Sequence, residues 1–148
     1  MELQVMLNEF FEHVRCNSDF LSFLAKLQRN NVSYYIYFVP TGNVKAVTTS
    51  DSYVSMKSHR GLIKINPTAS SGLTKIVAHR HFSGKTSFDQ YCKELAKAGV
   101  FKWVVDLNDR TRYYWSQDNQ LLHSENIITP TRSKQVVQSP PQTQPEET

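Results

Sequence analysis

The stretch SFDQYCKELAKAGVFKWVVDLNDRTRYYW, residues 87–115, decides the fold because it contains a helix and two strands in a fixed order. Phe88, Cys92 and Leu95 recur at helical spacing, and Gly99 is typical of the residue just beyond a helix end. The β-branched and aromatic residues that follow predict two strands joined by a polar turn. This stretch therefore predicts a helix followed by a β-hairpin.

Residues 18–47 show the same order 68 positions earlier. The positions that coincide at this offset are Phe20, Phe23, Leu27, Val32 and Tyr35 with Phe88, Tyr91, Leu95, Val100 and Trp103. Each amphipathic unit must cover its apolar face with another layer. We therefore predict an α+β fold in which two pseudo-repeated helix–β-hairpin units, residues 18–49 and 87–115, form one antiparallel sheet with helices packed on one face.

The chain of 148 residues has the composition of a single globular domain, with 39% hydrophobic and 20% charged residues. We predict one domain over residues 1–128, beginning with an amphipathic helix over residues 3–15. Residues 129–148 are rich in Pro, Gln and Thr and contain no aromatic residue. Such a segment buries too little apolar surface to offset its ordering entropy, so we predict a disordered tail.

Charge and cysteine content exclude several classes of protein. The net charge of +4 is spread along the chain without a run of like charges. No apolar run approaches the ~20 residues of a membrane span. Two cysteines are too few for a disulfide framework. We predict a cytoplasmic protein with no membrane segment, no metal and no cofactor.

His79-Arg80-His81 is the densest group of functional side chains, and the apolar residues of 73–77 predict one or two helical turns before it. If the helix continues, the two histidines point about 200° apart and cannot share a metal. If the segment is extended, they lie on one face. A metal would still need a third ligand. His81 is also a candidate general base.

Ser83-Gly84-Lys85-Thr86 is similar to the end of a phosphate-binding loop. The complete loop is excluded, because His79 stands where that loop needs glycine. Lys85 could still assist an anion at the start of the next helix. The alternative is an ordinary helix that is capped by Ser87.

Asp106 is the clearest difference between the two units, because it aligns with Phe38. A buried carboxylate here would need a partner such as Lys102, Arg112 or a histidine, and would then indicate a site. At a strand end, the same carboxylate would instead accept the backbone N–H of Asn108. Both interpretations fit the sequence.

Aromatic residues line the predicted strands. Tyr35, Tyr37, Trp103 and Tyr113 or Tyr114 could form a stacking platform for single-stranded nucleic acid beside scattered lysines. The same pattern is typical of a sheet core or a dimer interface, which we favour.

The motifs around residues 81–114 resemble a known family. They are His81-Phe82-Ser83-Gly84-Lys85-Thr86-Ser87-Phe88, Tyr91-Cys92, Ala98-Gly99-Val100, Lys102-Trp103, Asp106-Leu107 and Tyr113-Tyr114. The chain resembles the YbcV-like family of small bacterial and prophage proteins, closely over residues 73–128 and diffusely before them. The resemblance implies an α+β fold and a phage-derived origin. It implies no reaction, because the family is a domain of unknown function.

We favour a non-enzymatic binding module for a small ligand or a protein, with a homodimer as a further form. The alternatives are a small hydrolase-like enzyme that uses His81 and Asp106, and a single-stranded nucleic-acid binder, the partner that we favour least. The candidate functional residues are His79, His81, Lys85, Lys102, Asp106 and Tyr113. The sequence names neither the ligand nor a reaction.

Overall fold

The computed structural model describes residues 20–58 and 60–127, with side chains from residue 24 onward. The helix predicted over residues 3–15 and the tail predicted over residues 129–148 lie outside these ranges. Among the described residues, no helix is both long enough and apolar enough to span a membrane.

The described residues form three helices and six strands, one of which the sequence did not predict. Helix α1 leads into strands β1 to β3, and helices α2 and α3 lead into strands β4 to β6. The unpredicted strand is β3. The elements are α1 (Phe20–Arg29), β1 (Val32–Phe38), β2 (Val44–Thr48), β3 (Tyr53–Met56), α2 (Ser71–Phe82), α3 (Phe88–Lys97), β4 (Val100–Asp106), β5 (Thr111–Ser116) and β6 (Leu121–Asn126).

One six-stranded sheet holds the described chain together. Its strand order is β3-β2-β1-β4-β5-β6, and every neighbouring pair is antiparallel. Strands β1 and β4 lie side by side at the centre, where Ile36 pairs with Val104. Each strand of this central pair continues outward through its own hairpin. The predicted α+β class and the antiparallel sheet are therefore confirmed.

The core lies between the helices and one face of the sheet. Side chains alternate between the two faces of a strand, and alternate residues of β1 and β4 are buried. The Tyr37 and Trp103 rings stack with centroids 4.3 Å apart, and Phe88 of α3 packs edge-on against Tyr37 at 5.5 Å. Leu24 and Leu27 of α1 belong to the same core cluster. The helices therefore cover the same face.

This packing decides between the two interpretations of the aromatic residues. Tyr35 is 0% exposed, and Tyr37 and Trp103 are each 2% exposed. A base cannot stack on rings that are already enclosed by α1 and α3, so these residues form no nucleic-acid platform. The predicted alternative, a sheet core, is the one that the structure shows.

The opposite side of the sheet, which we call the open face, carries half-buried side chains that include several aromatic rings. Cross-strand pairs place Ile36 beside Val104, and Val104 beside Tyr113. The open face includes Tyr34, Ile36, Phe38, Lys45, Val47, Lys102, Val104, Asp106, Tyr113 and Trp115.

Two helix boundaries follow the sequence signals. The Ser87 hydroxyl accepts a hydrogen bond from the backbone N–H of Gln90 at 3.1 Å and so caps α3. After α3, Gly99 has φ of +89°, and a Cβ there would lie 2.5 Å from Cα of Ala69. Only glycine fits this close approach without displacing the backbone.

Candidate functional site

A groove between α2 and β6 is lined by several polar side chains, and we call it the α2–β6 groove. Its volume is about 410 Å³, within the range of pockets that hold small molecules. The residues that line it are Lys75, Ala78, His79, Phe82, Ser83, His123 and Glu125.

The periodicity of the two elements explains why these residues meet. Lys75, His79 and Ser83 are spaced four residues apart, and this spacing places them on one side of α2 and its C-terminal cap. His123 and Glu125 are two residues apart on β6 and therefore share one face of the strand. One side of α2 thus faces one face of β6. The helix contributes side chains from consecutive turns, and the strand contributes them from alternate positions.

Glu125 anchors a buried polar network behind the groove. Its Oε2 accepts a hydrogen bond from Arg112 Nη1 at 2.8 Å and another from the Tyr114 hydroxyl at 2.9 Å. Its Oε1 lies 3.4 Å from His123 Nε2. Arg112 is only 5% exposed, so its permanent charge needs this carboxylate partner.

The network continues inward through two tyrosines. The Tyr91 and Tyr114 hydroxyl oxygens are 2.5 Å apart. Because Tyr114 donates its one hydrogen to Glu125, Tyr91 is the donor in this contact. Burial raises the pKa of both phenols, so they remain neutral donors. The result is a chain of hydrogen bonds from the core to the wall of the groove.

His81 is buried against α3, whereas His79 lines the groove. Residue 81 is 4% exposed, and its ring stacks on Tyr91 with centroids 3.9 Å apart. His79 is exposed on the other side of α2. Of the two alternatives left open for this segment, the helical one is correct, because α2 continues to Phe82.

The protonation state of His81 follows from its surroundings. Burial lowers its pKa to about 4, the hydrogen bond with the Thr86 backbone opposes this effect, and the charge of Arg112 adds to it. Nδ1 lies 3.2 Å from the Thr86 carbonyl oxygen and 3.0 Å from its Oγ1. At neutral pH this histidine is uncharged.

Phe82 joins the network to the groove. The Arg112 guanidinium carbon lies 4.2 Å from the centroid of the Phe82 ring, a cation–π contact. The ring itself is 41% exposed. One face of Phe82 therefore covers a buried charge, while the rest of the side chain offers apolar surface to the groove.

Lys85 does not take part in the groove. It is exposed in the loop between α2 and α3, and its backbone N–H donates to the Arg80 carbonyl at 2.9 Å. Ser87 caps α3 in the ordinary way. The loop therefore has the geometry of a capped helix, the alternative to an anion site.

Lys102, Asp106 and Tyr113 lie together on the open face, away from His81. Asp106 Oδ1 accepts the backbone N–H of Asn108 at 2.8 Å and that of Asp109 at 3.3 Å. Asp106 is thus the turn cap that one of the two interpretations predicted. The sheet separates it from His81, so the structure does not bring the proposed catalytic pair together.

Metal binding finds no support in the described ranges. In residues 20–58 and 60–127, no group of three His, Cys, Asp or Glu side chains could hold a metal ion. His123 and Glu125 contact each other, but a structural metal needs more ligands than this pair supplies.

Comparison with known proteins places the chain in a family. A family model described as "Protein of unknown function (DUF1398)" matches residues 8–126. The chain belongs to this family. The match covers both halves of the sheet, and so extends beyond residues 73–128, where the sequence motifs are clearest.

Two curated relatives are similar over most of their length, and both are described as uncharacterized. Uncharacterized protein YcgX of Escherichia coli (strain K12) is 35% identical over 127 residues, which cover 86% of this chain and 95% of that protein. Uncharacterized protein YbcV of the same strain is 34% identical over 127 residues, which cover 86% of this chain and 93% of the relative. The resemblance to the YbcV-like family is therefore confirmed.

Sequence reasoning found His79 but missed the other half of the groove. Arg112, His123 and Glu125 lie 30 to 43 residues after the end of α2, and only the fold brings them to it. The sequence did contain a signal for these residues. Arg112 and Tyr114 alternate along β5, and His123 and Glu125 alternate along β6, which pairs with it, so the four side chains share one face of the sheet. The missing information was which face of these strands points toward α2.

Proposed function

We propose that this protein is a non-enzymatic binding module that holds a small ligand in the α2–β6 groove. The observation that carries the proposal is the convergence of polar side chains from two elements on a cavity of about 410 Å³. Behind it, the Glu125–Arg112–Tyr114 network supports the wall with satisfied hydrogen bonds. A fixed wall of this kind favours binding, because little side-chain freedom is lost when a ligand enters.

The acidic and basic side chains near the groove already contact other residues of the protein, and this supports binding over catalysis. His81 is buried, and its Nδ1 contacts Thr86. Glu125 already contacts Arg112, Tyr114 and His123. A general acid or base must reach the reacting group directly or through one water. These side chains are instead committed to contacts that stabilise the fold.

A fragment screen by two-dimensional NMR tests the proposal. The library contains equal numbers of anionic, neutral and cationic small molecules, and each is titrated into the intact protein. We expect saturable shifts that cluster on residues 75–83 and 123–125. Hits that map elsewhere, or no saturable hit at millimolar concentration, would reject the groove as the binding site.

We infer a second function, homodimer formation through the open face, from its charge pattern. Along β4, this face presents Lys102, Val104 and Asp106, which are basic, apolar and acidic in turn. A twofold axis through Val104 would set Lys102 of one copy opposite Asp106 of the other. An isologous interface requires this kind of self-complementarity. The apolar side chains around Val104 would supply the buried centre.

Sedimentation velocity of Val104→Arg tests the dimer. We expect the unchanged protein to be dimeric at micromolar concentration and the variant to be monomeric, because a charge at the centre of the interface would be buried without a partner. Ser71→Arg adds the same charge at the exposed start of α2 and should remain dimeric. A monomeric unchanged protein would contradict the proposal. Open-face binding of single-stranded DNA by that monomer would support the nucleic-acid alternative instead.

We also infer that the two halves are copies of one unit. The β1–β2 pairing is irregular between Val32 and Tyr34, and the β4–β5 pairing is irregular between Val100 and Lys102, 68 residues later. The central pair, Ile36 and Val104, has the same separation. These matches support a duplication. An experimental structure in which the two helix–hairpin units failed to superimpose would reject it.

A further inference from the structure

The hydrogen-bonding inventory of the α2–β6 groove indicates what kind of ligand it takes. Its carboxylate, Glu125, already accepts from Arg112 and Tyr114 and contacts His123. The remaining polar side chains are Lys75, His79 and Ser83, each of which can donate. Lys75 can only donate, so a ligand that pairs with it must supply acceptor atoms.

The charge balance of the groove agrees with this inventory. The negative charge of Glu125 is offset by Arg112, 2.8 Å away. Arg80, on the outer side of α2, is likewise offset by Glu94 at 2.7 Å. Lys75 then contributes a positive charge that, within the described part of the chain, has no hydrogen-bond or ion-pair partner. The groove therefore attracts anions.

Three of the last four backbone carbonyls of α2 already accept hydrogen bonds. The N–H groups of Ser83, Gly84 and Lys85 donate to the carbonyls of His79, His81 and Arg80. These bonds satisfy acceptors that a helix terminus would otherwise present. Ala78 and Phe82 form the apolar part of the groove lining.

We infer that the α2–β6 groove binds a small organic anion, a carboxylate or a phosphate ester, whose charged group contacts Lys75 and His79 and whose short apolar body packs on Phe82. This inference rests on the proposed function and adds the chemical class of the ligand. A carboxylate and a phosphate ester share the acceptor-rich anionic head that the donors require. The volume of about 410 Å³ limits the ligand to a single small molecule.

Four probes with the same aromatic body and different heads test the inference. Benzoate, phenyl phosphate, benzamide and benzylammonium are titrated into the intact protein at fixed ionic strength, while backbone and histidine ring signals are followed by NMR. We expect benzoate or phenyl phosphate to bind at least tenfold more tightly than benzamide, with shifts at His79 and His123. The two anions separate a carboxylate site from a phosphate site.

A matched pair of lysine variants shows whether the anion uses the groove. Lys75→Met should weaken anion binding about five- to tenfold, since a charged hydrogen bond is lost. Lys85→Met removes an equal charge from the neighbouring loop and should leave the affinity unchanged. Equal effects of the two substitutions would show that the anion responds only to net charge, and would overturn the inference.

Failure of this inference can be distinguished from failure of the proposed function. If benzamide or benzylammonium binds in the groove as tightly as the anions, the ligand class is wrong and the binding module stands. If no probe and no fragment gives saturable shifts at residues 75–83 and 123–125, the groove is not a ligand site and both proposals fall.

Discussion

The substitution His81→Phe should change how the stability of this protein depends on pH. Phenylalanine keeps an aromatic ring against Tyr91, where the two rings now stack at 3.9 Å. It removes the titratable group and the Nδ1 contact with Thr86. At pH 7 the loss of this hydrogen bond should lower the free energy of unfolding by about 1 kcal/mol. Burial of the more apolar phenylalanine ring should offset part of this loss.

The magnitude follows from the lowered pKa of His81. This pKa is about 4 in the folded protein and 6.5 for an ordinary histidine. Between these values the unfolded chain binds the proton more readily, so the stabilising contribution is complete above pH 6.5 and disappears as the pH falls toward 4. One pKa unit corresponds to about 1.4 kcal/mol, so the shift can change the free energy of unfolding by at most roughly 3 kcal/mol. About 2 kcal/mol of it should be lost between pH 7 and pH 5.

Urea unfolding of both proteins at pH 7, 6 and 5 measures this effect. The stability of the unchanged protein relative to His81→Phe should fall by about 2 kcal/mol from pH 7 to pH 5. His79→Gln is the matched control, because it removes an exposed histidine from the same helix. It shows how the loss of a histidine that is not buried changes the pH dependence of stability. Titration of the ring signals by NMR gives the pKa of His81 directly.

Parallel stability curves would refute the reasoning. If the unchanged protein and His81→Phe lose the same free energy of unfolding between pH 7 and pH 5, His81 is not desolvated in the folded state. A ring titration midpoint near 6.5 would lead to the same conclusion, and the stacked, buried position between α2 and α3 would then be wrong.

Three further substitutions test other parts of the structure by urea unfolding. Arg112→Met should destabilise the protein by about 3 kcal/mol, because it leaves the Glu125 carboxylate without its charged partner, and adding Glu125→Gln should recover part of this loss. Gly99→Ala should cost about 2 kcal/mol or more, owing to φ of +89° and the contact with Ala69, whereas Gly72→Ala, in open space within α2, should be neutral or stabilising. Asp106→Ala should cost about 1 kcal/mol through loss of the turn cap, and Asp106→Asn should retain most of the stability because its amide oxygen still accepts. Equal losses for the members of any pair would contradict the assigned contact.

The sequence predicted the elements whose signals are local. Helix α3 is capped by Ser87 and ends before Gly99. The β-branched and aromatic residues of β1 predict a strand from composition alone. Strand β3 was missed because only Met56 among its residues is buried, and its pairing with β2 gives it its structure. The length of α2 was also underestimated. Its apolar residues Leu73 and Ile76 are 41% and 56% exposed, while Thr74 and His81 are buried, so its hydrophobic pattern does not mark its buried side.

The sequence by itself determined the α+β class, the antiparallel hairpins and the family, because periodicity, capping and turn residues act between near neighbours in the chain. Only the tertiary structure decided which face of each strand meets the helices. That choice buried Tyr37 and Trp103, left Lys102 and Asp106 on the open face, and brought His123 and Glu125 to α2. The physical reason is that a strand with aromatic residues on both faces can bury either one, and the helices that pack against the assembled sheet select between them.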